Sequence, residues 1–368
     1  MRNNFLPVVL VVICAVGALS VHAYDPGDVN GDGVVDAEDL SCATTTVFDP
    51  NDGCAVATTA PLEHVITVSP SGGDFTSIQA ALDSIPLPTV GRWLIRVGPG
   101  DYVERVTMRA NVAIEGAGEG LTSVAQNGSV DADTGTVIGA DDAELRHITV
   151  YNHGGANAAI GVFCDGVEPS LAHVTIQTNN GLQTTAGLYL LNDAGPETTA
   201  VHAWASSPTG KTYGLYFEGS SSPQDTDIEG LDAEASYGVE AVGIFCADGI
   251  LRISGVTANG SNGAAGSFGL STEDCTVSVL RSTIIGEGGN TPRGIQITNT
   301  DSSKGGRLDV ANSEIIGADA TVFESGDGSA FVGGSLLMGG PVAGEVQCAG
   351  VWDGDYTFYA SSCPTGSK

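Results

Sequence analysis

A glycine followed by an aliphatic residue returns six times along the middle of the chain. The pairs are Gly161-Val162, Gly187-Leu188, Gly214-Leu215, Gly243-Ile244, Gly269-Leu270 and Gly294-Ile295, with successive glycines 26, 27, 29, 26 and 25 residues apart. A second short run falls about midway between most of them. It reads His173-Val174-Thr175-Ile176, then Gly255-Val256-Thr257-Ala258, Ser282-Thr283-Ile284-Ile285 and Ser313-Glu314-Ile315-Ile316, and His147-Ile148-Thr149-Val150 precedes the series. Each run alternates apolar and polar residues over a length too short for a helix, and Gly, Asn, Ser and Asp punctuate the gaps. One such coil cannot bury its own apolar face. Coils stacked about 4.8 Å apart can, because each strand then pairs with its counterparts above and below. The spacing therefore predicts an all-β solenoid of parallel strands with roughly eight to ten coils. The Leu-x-x-Leu-x-Leu pattern of leucine-rich repeats and the Trp-Asp marks of propeller blades are missing.

Composition narrows the field further. The 368 residues include 52 glycines without a three-residue period, so the chain is not collagen-like. The 13 basic and 44 acidic residues give a formal charge of −31. A surface of that sign repels nucleic acid, anionic lipid and polyanionic polymers, and it suits divalent cations or a salty medium.

Residues 1–23 read as a secretory signal peptide: Arg2, an apolar run from Leu6 to Leu19, and Val21-His22-Ala23 as a cleavage site. No later run approaches the roughly 18 apolar residues of a membrane span, so the expectation is a secreted or surface-associated protein. An oxidising compartment would let the cysteines pair. Cys42–Cys54 and Cys348–Cys363 are the expected bridges, because each closes a short loop. Cys164 and Cys246 occupy matching places in different coils and read as buried thiols.

Residues 24–41 hold the most specific motif. Asp28-Val29-Asn30-Gly31-Asp32-Gly33-Val34-Val35-Asp36-Ala37-Glu38-Asp39 follows the spacing of an EF-hand type calcium loop. Side-chain oxygens of Asp28, Asn30, Asp32, Asp36 and Asp39 and the carbonyl of Val34 would supply the hard ligands that calcium needs, and Gly33 turns the loop. The segment resembles one repeat of a dockerin, and also a thrombospondin type 3 repeat. The dockerin resemblance implies a protein partner at this module. Residues 42–62 read as a Thr-, Ala- and Pro-rich linker, and 63–368 as the solenoid.

Three stretches open the solenoid: Gly73-Asp74-Phe75-Thr76-Ser77-Ile78-Gln79-Ala80-Ala81-Leu82, Trp93 to Val106, and Val112-Ala113-Ile114-Glu115-Gly116-Ala117-Gly118. They resemble the start of pectin methylesterases and other pectin lyase-like proteins. That resemblance implies a right-handed parallel β-helix, with Ile78 to Leu82 as a short helix capping its open end. It also invites a search for the methylesterase residues. Gln224-Asp225-Thr226 matches the family's acid/base segment, but Val242-Gly243-Ile244-Phe245-Cys246 stands where the nucleophilic aspartate should follow. One carboxylate without its partner cannot run that covalent mechanism. Arg252, Arg281 and Arg307 are available as lyase bases, yet no acidic cluster surrounds them in sequence. Arg293 stands in Pro292-Arg293-Gly294, where the family's Gly-Arg-Pro-Trp is absent, and Asp141-Asp142 falls in an early turn. His147, His153, His173 and His202 remain as candidates, with coil-aligned His147 and His173 expected to form a stacked ladder. Trp204, Tyr213, Tyr216, Phe217 and Tyr237 cluster over about two coils. On an outer face they would stack on sugar rings, whereas Tyr216 and Phe217 could simply alternate out and in. The expected function is a non-catalytic binding, adhesive or structural β-helix facing a polysaccharide or glycan. The alternative is a polysaccharide lyase or pectinesterase-like enzyme with an atypical site.

Overall fold

The computed structural model describes residues 62–365 apart from 130, 221–222, 301–305 and 327. The calcium-loop residues Asp28, Asn30, Asp32, Val34, Asp36 and Asp39, the signal segment and Cys42–Cys54 lie outside the described residues.

The chain from Leu62 onward winds as a right-handed parallel β-solenoid of about ten turns with one short helix. A first sheet of 15 strands runs its whole length, a second has 10, and a third of 6 begins only at Asp225–Glu229. Among the described residues the strands of successive turns pair in parallel; Val351–Asp353 against Phe358–Tyr359 at the end and the isolated bridge Ser129–Ala158 are antiparallel. The alternation read in the sequence is the alternation of faces. Val174, Val201 and Leu231 stack inward on the first sheet and Leu188, Leu215 and Ile244 on the second, all fully buried.

The repeated glycine has a steric cause. At these positions the second sheet comes against the backbone or inward side chains of the first. A Cβ on Gly214 would sit 2.6 Å from the Ala233 carbonyl carbon, and one on Gly243 would sit 2.5 Å from the Asn259 nitrogen. Gly161 and Gly187 face Ile176 and Ala203 in the same way. None of the six needs a left-handed conformation; each is glycine because the two sheets touch there.

A second column does need that conformation. Where the chain turns into the first sheet, His147, His173, Ala200, Gly230, Gly255, Arg281, Asn312, Gly334 and Gly350 all have φ between 49° and 65° over successive turns. His147 and His173 share this corner, and their rings stack at 5.0 Å with 13° between planes. The expected histidine ladder is present, and it is a corner feature.

The N-terminal end is closed as expected by the helix Ile78–Ser84, which buries Ile78, Ala81 and Leu82. Ser77 caps it by accepting from the Ala80 amide. Glu104 adds a carboxylate at the same end, accepting from Ser77 Oγ at 2.6 Å, Ile78 N at 2.8 Å and Gln79 N at 3.0 Å. Negative charge is favourable there because the first amides of a helix have no partner within it. At the other end Arg109 Nη1 donates to the carbonyls of Leu82 and Ile85.

The disulfide Cys348–Cys363 pins the C-terminal closure, as expected. Cys246 corrects the expectation: it is bridged to Cys275, 29 residues on, with Cα atoms 6.0 Å apart. Cys275 immediately precedes the third-sheet strand Thr276–Leu280 of the next turn, and the Thr276 amide bonds back to the Gly249 carbonyl, just past Cys246. The turn of the third sheet thus supplies a partner. Cys164 is a free buried thiol, as read, and burial pushes it up to about 12.

Candidate functional site

The structure separates the aromatic cluster of the sequence. Phe217 points into the core and is fully buried. Tyr216, one residue earlier, points outward from the second sheet, so the two alternate. There it stacks on Tyr189 at 4.3 Å and on Phe245 at 5.2 Å, and Phe163 continues the row beyond Tyr189. Rings stacked along the solenoid axis spend their faces on each other and offer only edges. Burial pushes the Tyr216 and Tyr213 phenols well above their usual range, and neighbouring Tyr189 and Glu240 act in the same direction. The Tyr216 hydroxyl donates to Glu218 at 2.8 Å. This row is a covering for the second sheet and makes a poor sugar platform. Tyr237 is exposed in a turn with φ 63°.

Trp204 lies elsewhere, on the outer face of the first sheet. It projects from Glu197–Ser206 with Gln177 in register on one side and Glu234 on the other, and no aromatic ring stacks on it among the described residues. The next outward column carries Thr175, His202, Asp232 and Thr257 in register. Because outward residues recur every second position, His202 and Trp204 share a face, as do Asp232 and Glu234. The result is a polar band with one large aromatic residue, spanning about 14 Å over four strands at the usual strand spacing.

Within the band His202 Nε2 stands 3.7 Å from a Glu234 oxygen and 4.0 Å from an Asp232 oxygen. All three side chains are partly exposed. Sequence reasoning had singled out His202 and Trp204 but missed Asp232 and Glu234. The signal was available: His-x-Trp in one coil and Asp-x-Glu in the next, both in strand alternation. It was obscured because 30 residues separate His202 from its register partner Asp232, more than the intervals on either side.

The other candidates are engaged with neighbouring side chains or backbone, or hold a turn. Asp225 is exposed on the third sheet and pairs with Arg252 at 2.6 Å. Arg293 pairs with Asp319 at 2.8 Å and lies over the Phe323 ring. Arg307 grips Asp309 through two bonds and lies over Phe331. Arg281 donates to Ser254, and His153 stacks on Tyr151. Asp141 accepts from the Glu168 amide, and Asp142 holds a left-handed turn.

No family model matches the chain, and none of the curated proteins does. Solved structures align with much of its length at low similarity. A pectin methylesterase from carrot is 14% identical, covers 80% of this chain and 83% of its own, and gives a TM-score of 0.34. The rice weevil pectin methyl esterase is 11% identical over 91% and 92%, with a TM-score of 0.35. The A-module of the Azotobacter vinelandii mannuronan C-5 epimerase AlgE4 is 15% identical over 77% and 97%, with a TM-score of 0.45. Superpositions this loose transfer no residue from those proteins to this one.

Proposed function

We propose that this is an exported, non-catalytic β-helix protein that binds a polysaccharide along the outer face of its first sheet, with Trp204 as the stacking residue. The observation that carries the reading is the setting of Trp204. It is an aromatic residue between a carboxamide and a carboxylate, Gln177 and Glu234, in a continuous band of hydroxyl, amide and carboxylate groups. A sugar ring offers an apolar C–H face to an indole and hydroxyls to such neighbours, which both donate and accept. Rigid strands fix the spacing, so little order is lost on binding. Two disulfides support an oxidising destination. Among the described residues no helix is long and apolar enough to cross a membrane. Residues 24–41 would add a calcium-filled module, ligated by Asp28, Asn30, Asp32, Val34, Asp36 and Asp39, for attachment to a protein partner.

The test is a glycan-array screen of the mature chain with calcium, reading bound and altered glycan together. Retention of a polysaccharide that falls at least about tenfold in Trp204→Ala, a loss of about 1.4 kcal/mol, supports the reading. Retention unchanged in that variant overturns the site, and turnover of any glycan overturns the non-catalytic part. Turnover would favour the second reading, a carbohydrate-active enzyme, for which His202 beside two carboxylates is an acid/base arrangement. Asp32→Ala should abolish calcium binding at the N-terminal module and leave the solenoid folded, as calcium titration and circular dichroism would read.

A further inference from the structure

The geometry points to a divalent transition-metal site of the zinc kind at His202, Asp232 and Glu234, which we propose as a feature of this protein in its own right. One donor atom from each side chain lies within 4.8 Å of the other two. The imidazole nitrogen stands 3.7 and 4.0 Å from the carboxylate oxygens. These separations exceed a hydrogen bond, which closes at about 2.7–3.2 Å. The groups converge on shared space without satisfying one another.

Exclusion from solvent adds to that convergence, and it extends to the other Asp232 oxygen. His202 Nε2 and Asp232 Oδ1 are both shut off from solvent and have no hydrogen-bond partner. Polar atoms in that condition are costly unless something pairs with them. Among the described residues, His202 is also the only basic side chain within ion-pair reach of Asp232 and Glu234, and neither lysine nor arginine pairs with them.

The donor set selects the metal. Zinc binds nitrogen and oxygen at about 2.0–2.2 Å, which puts tetrahedral donors about 3.3–3.6 Å apart, a fraction of an ångström inside the two separations from His202. Calcium prefers six or more hard oxygens, and an imidazole in the set favours a borderline ion instead. Three protein ligands leave a position open to water or to a hydroxyl of whatever lies on the sheet. The strand partners hold the ligands in place: Asp232 and Glu234 share one face of Leu231–Ser236, and His202 is fixed opposite Asp232 on Glu197–Ser206.

The test uses the full chain, stripped with chelator and titrated with Co²⁺ and then Zn²⁺. Saturating Ca²⁺ is kept present so that the N-terminal loop does not compete. The expected result is one equivalent of Co²⁺ with the visible absorption of a four-coordinate site, displaced by Zn²⁺, and a melting temperature raised by Zn²⁺. His202→Ala and Asp232→Asn should each abolish the absorption and the zinc-dependent rise. Both residues are partly exposed, so both variants should still melt near the wild type without metal. Asp32→Ala should retain the cobalt signal. An unchanged cobalt spectrum in His202→Ala, or no binding by the wild type at millimolar metal, overturns the proposal. The probe is the metal alone, so neither result bears on glycan binding at Trp204.

Discussion

Glu104 and Arg109 clamp opposite ends of one helix: the carboxylate of the first accepts from the Ile78 and Gln79 amides, and the guanidinium of the second donates to the Leu82 and Ile85 carbonyls. The helix Ile78–Ser84 is too short to be stable alone, since isolated helices need about 12–15 residues. The first regular coil therefore fixes the lid that covers it. Glu104→Ala should cost about 1–2 kcal/mol and Arg109→Ala about 1–3 kcal/mol, the latter because buried carbonyls lose their donor. Urea unfolding would read both. Changes within experimental error would show that the lid stands on apolar packing alone.

Two glycines of different kinds should respond unequally to alanine. Gly214 has ordinary backbone angles but backbone atoms 2.6 Å from where a Cβ would go, whereas Gly255 has φ 61° and open space around it. Gly214→Ala forces two sheets apart and should cost about 2–3 kcal/mol or prevent folding. Gly255→Ala pays only the left-handed penalty of about 1–2 kcal/mol, a conformation Ala200 already holds in an earlier turn. Equal losses in the two variants would contradict this assignment of causes.

Stability should fall on the alkaline side. The Tyr213 and Tyr216 phenols are raised chiefly by burial, so the native state keeps their protons after the unfolded chain gives them up near pH 10. Above that pH the unfolded state binds fewer protons, and stability declines as pH rises. Below it the two groups contribute no slope. Tyr216→Phe should flatten the decline measured by urea midpoints between pH 9 and about 11.5. A variant with the same slope as the wild type would assign the effect to other groups.

Asp225→Asn tests the methylesterase resemblance directly. Its carboxylate makes an exposed pair with Arg252, and such pairs are worth about 0–1 kcal/mol. The variant should fold normally and retain every glycan interaction of the wild type. Loss of binding or turnover on the same glycan array would restore Asp225 as a functional residue.

The turn-to-turn repeat, the capping helix, the Cys348–Cys363 closure and the histidine stack were all legible in the sequence. Each depends on local order: which residues alternate along a strand, which short run precedes the first coil, which cysteines close a short loop. The meeting of His202 with Asp232 and Glu234, the Cys246–Cys275 bridge and the parting of Trp204 from Tyr213 were not. Strand alternation has a period of two and is written in neighbouring residues. Register between coils depends on every turn length in between, and around His202 the register intervals run from 25 to 30 residues. One residue more or less in a turn would move Asp232 from the outer face to the core. Local alternation is enough to make a polar outer face; which side chains share a place on it follows from how the coils stack.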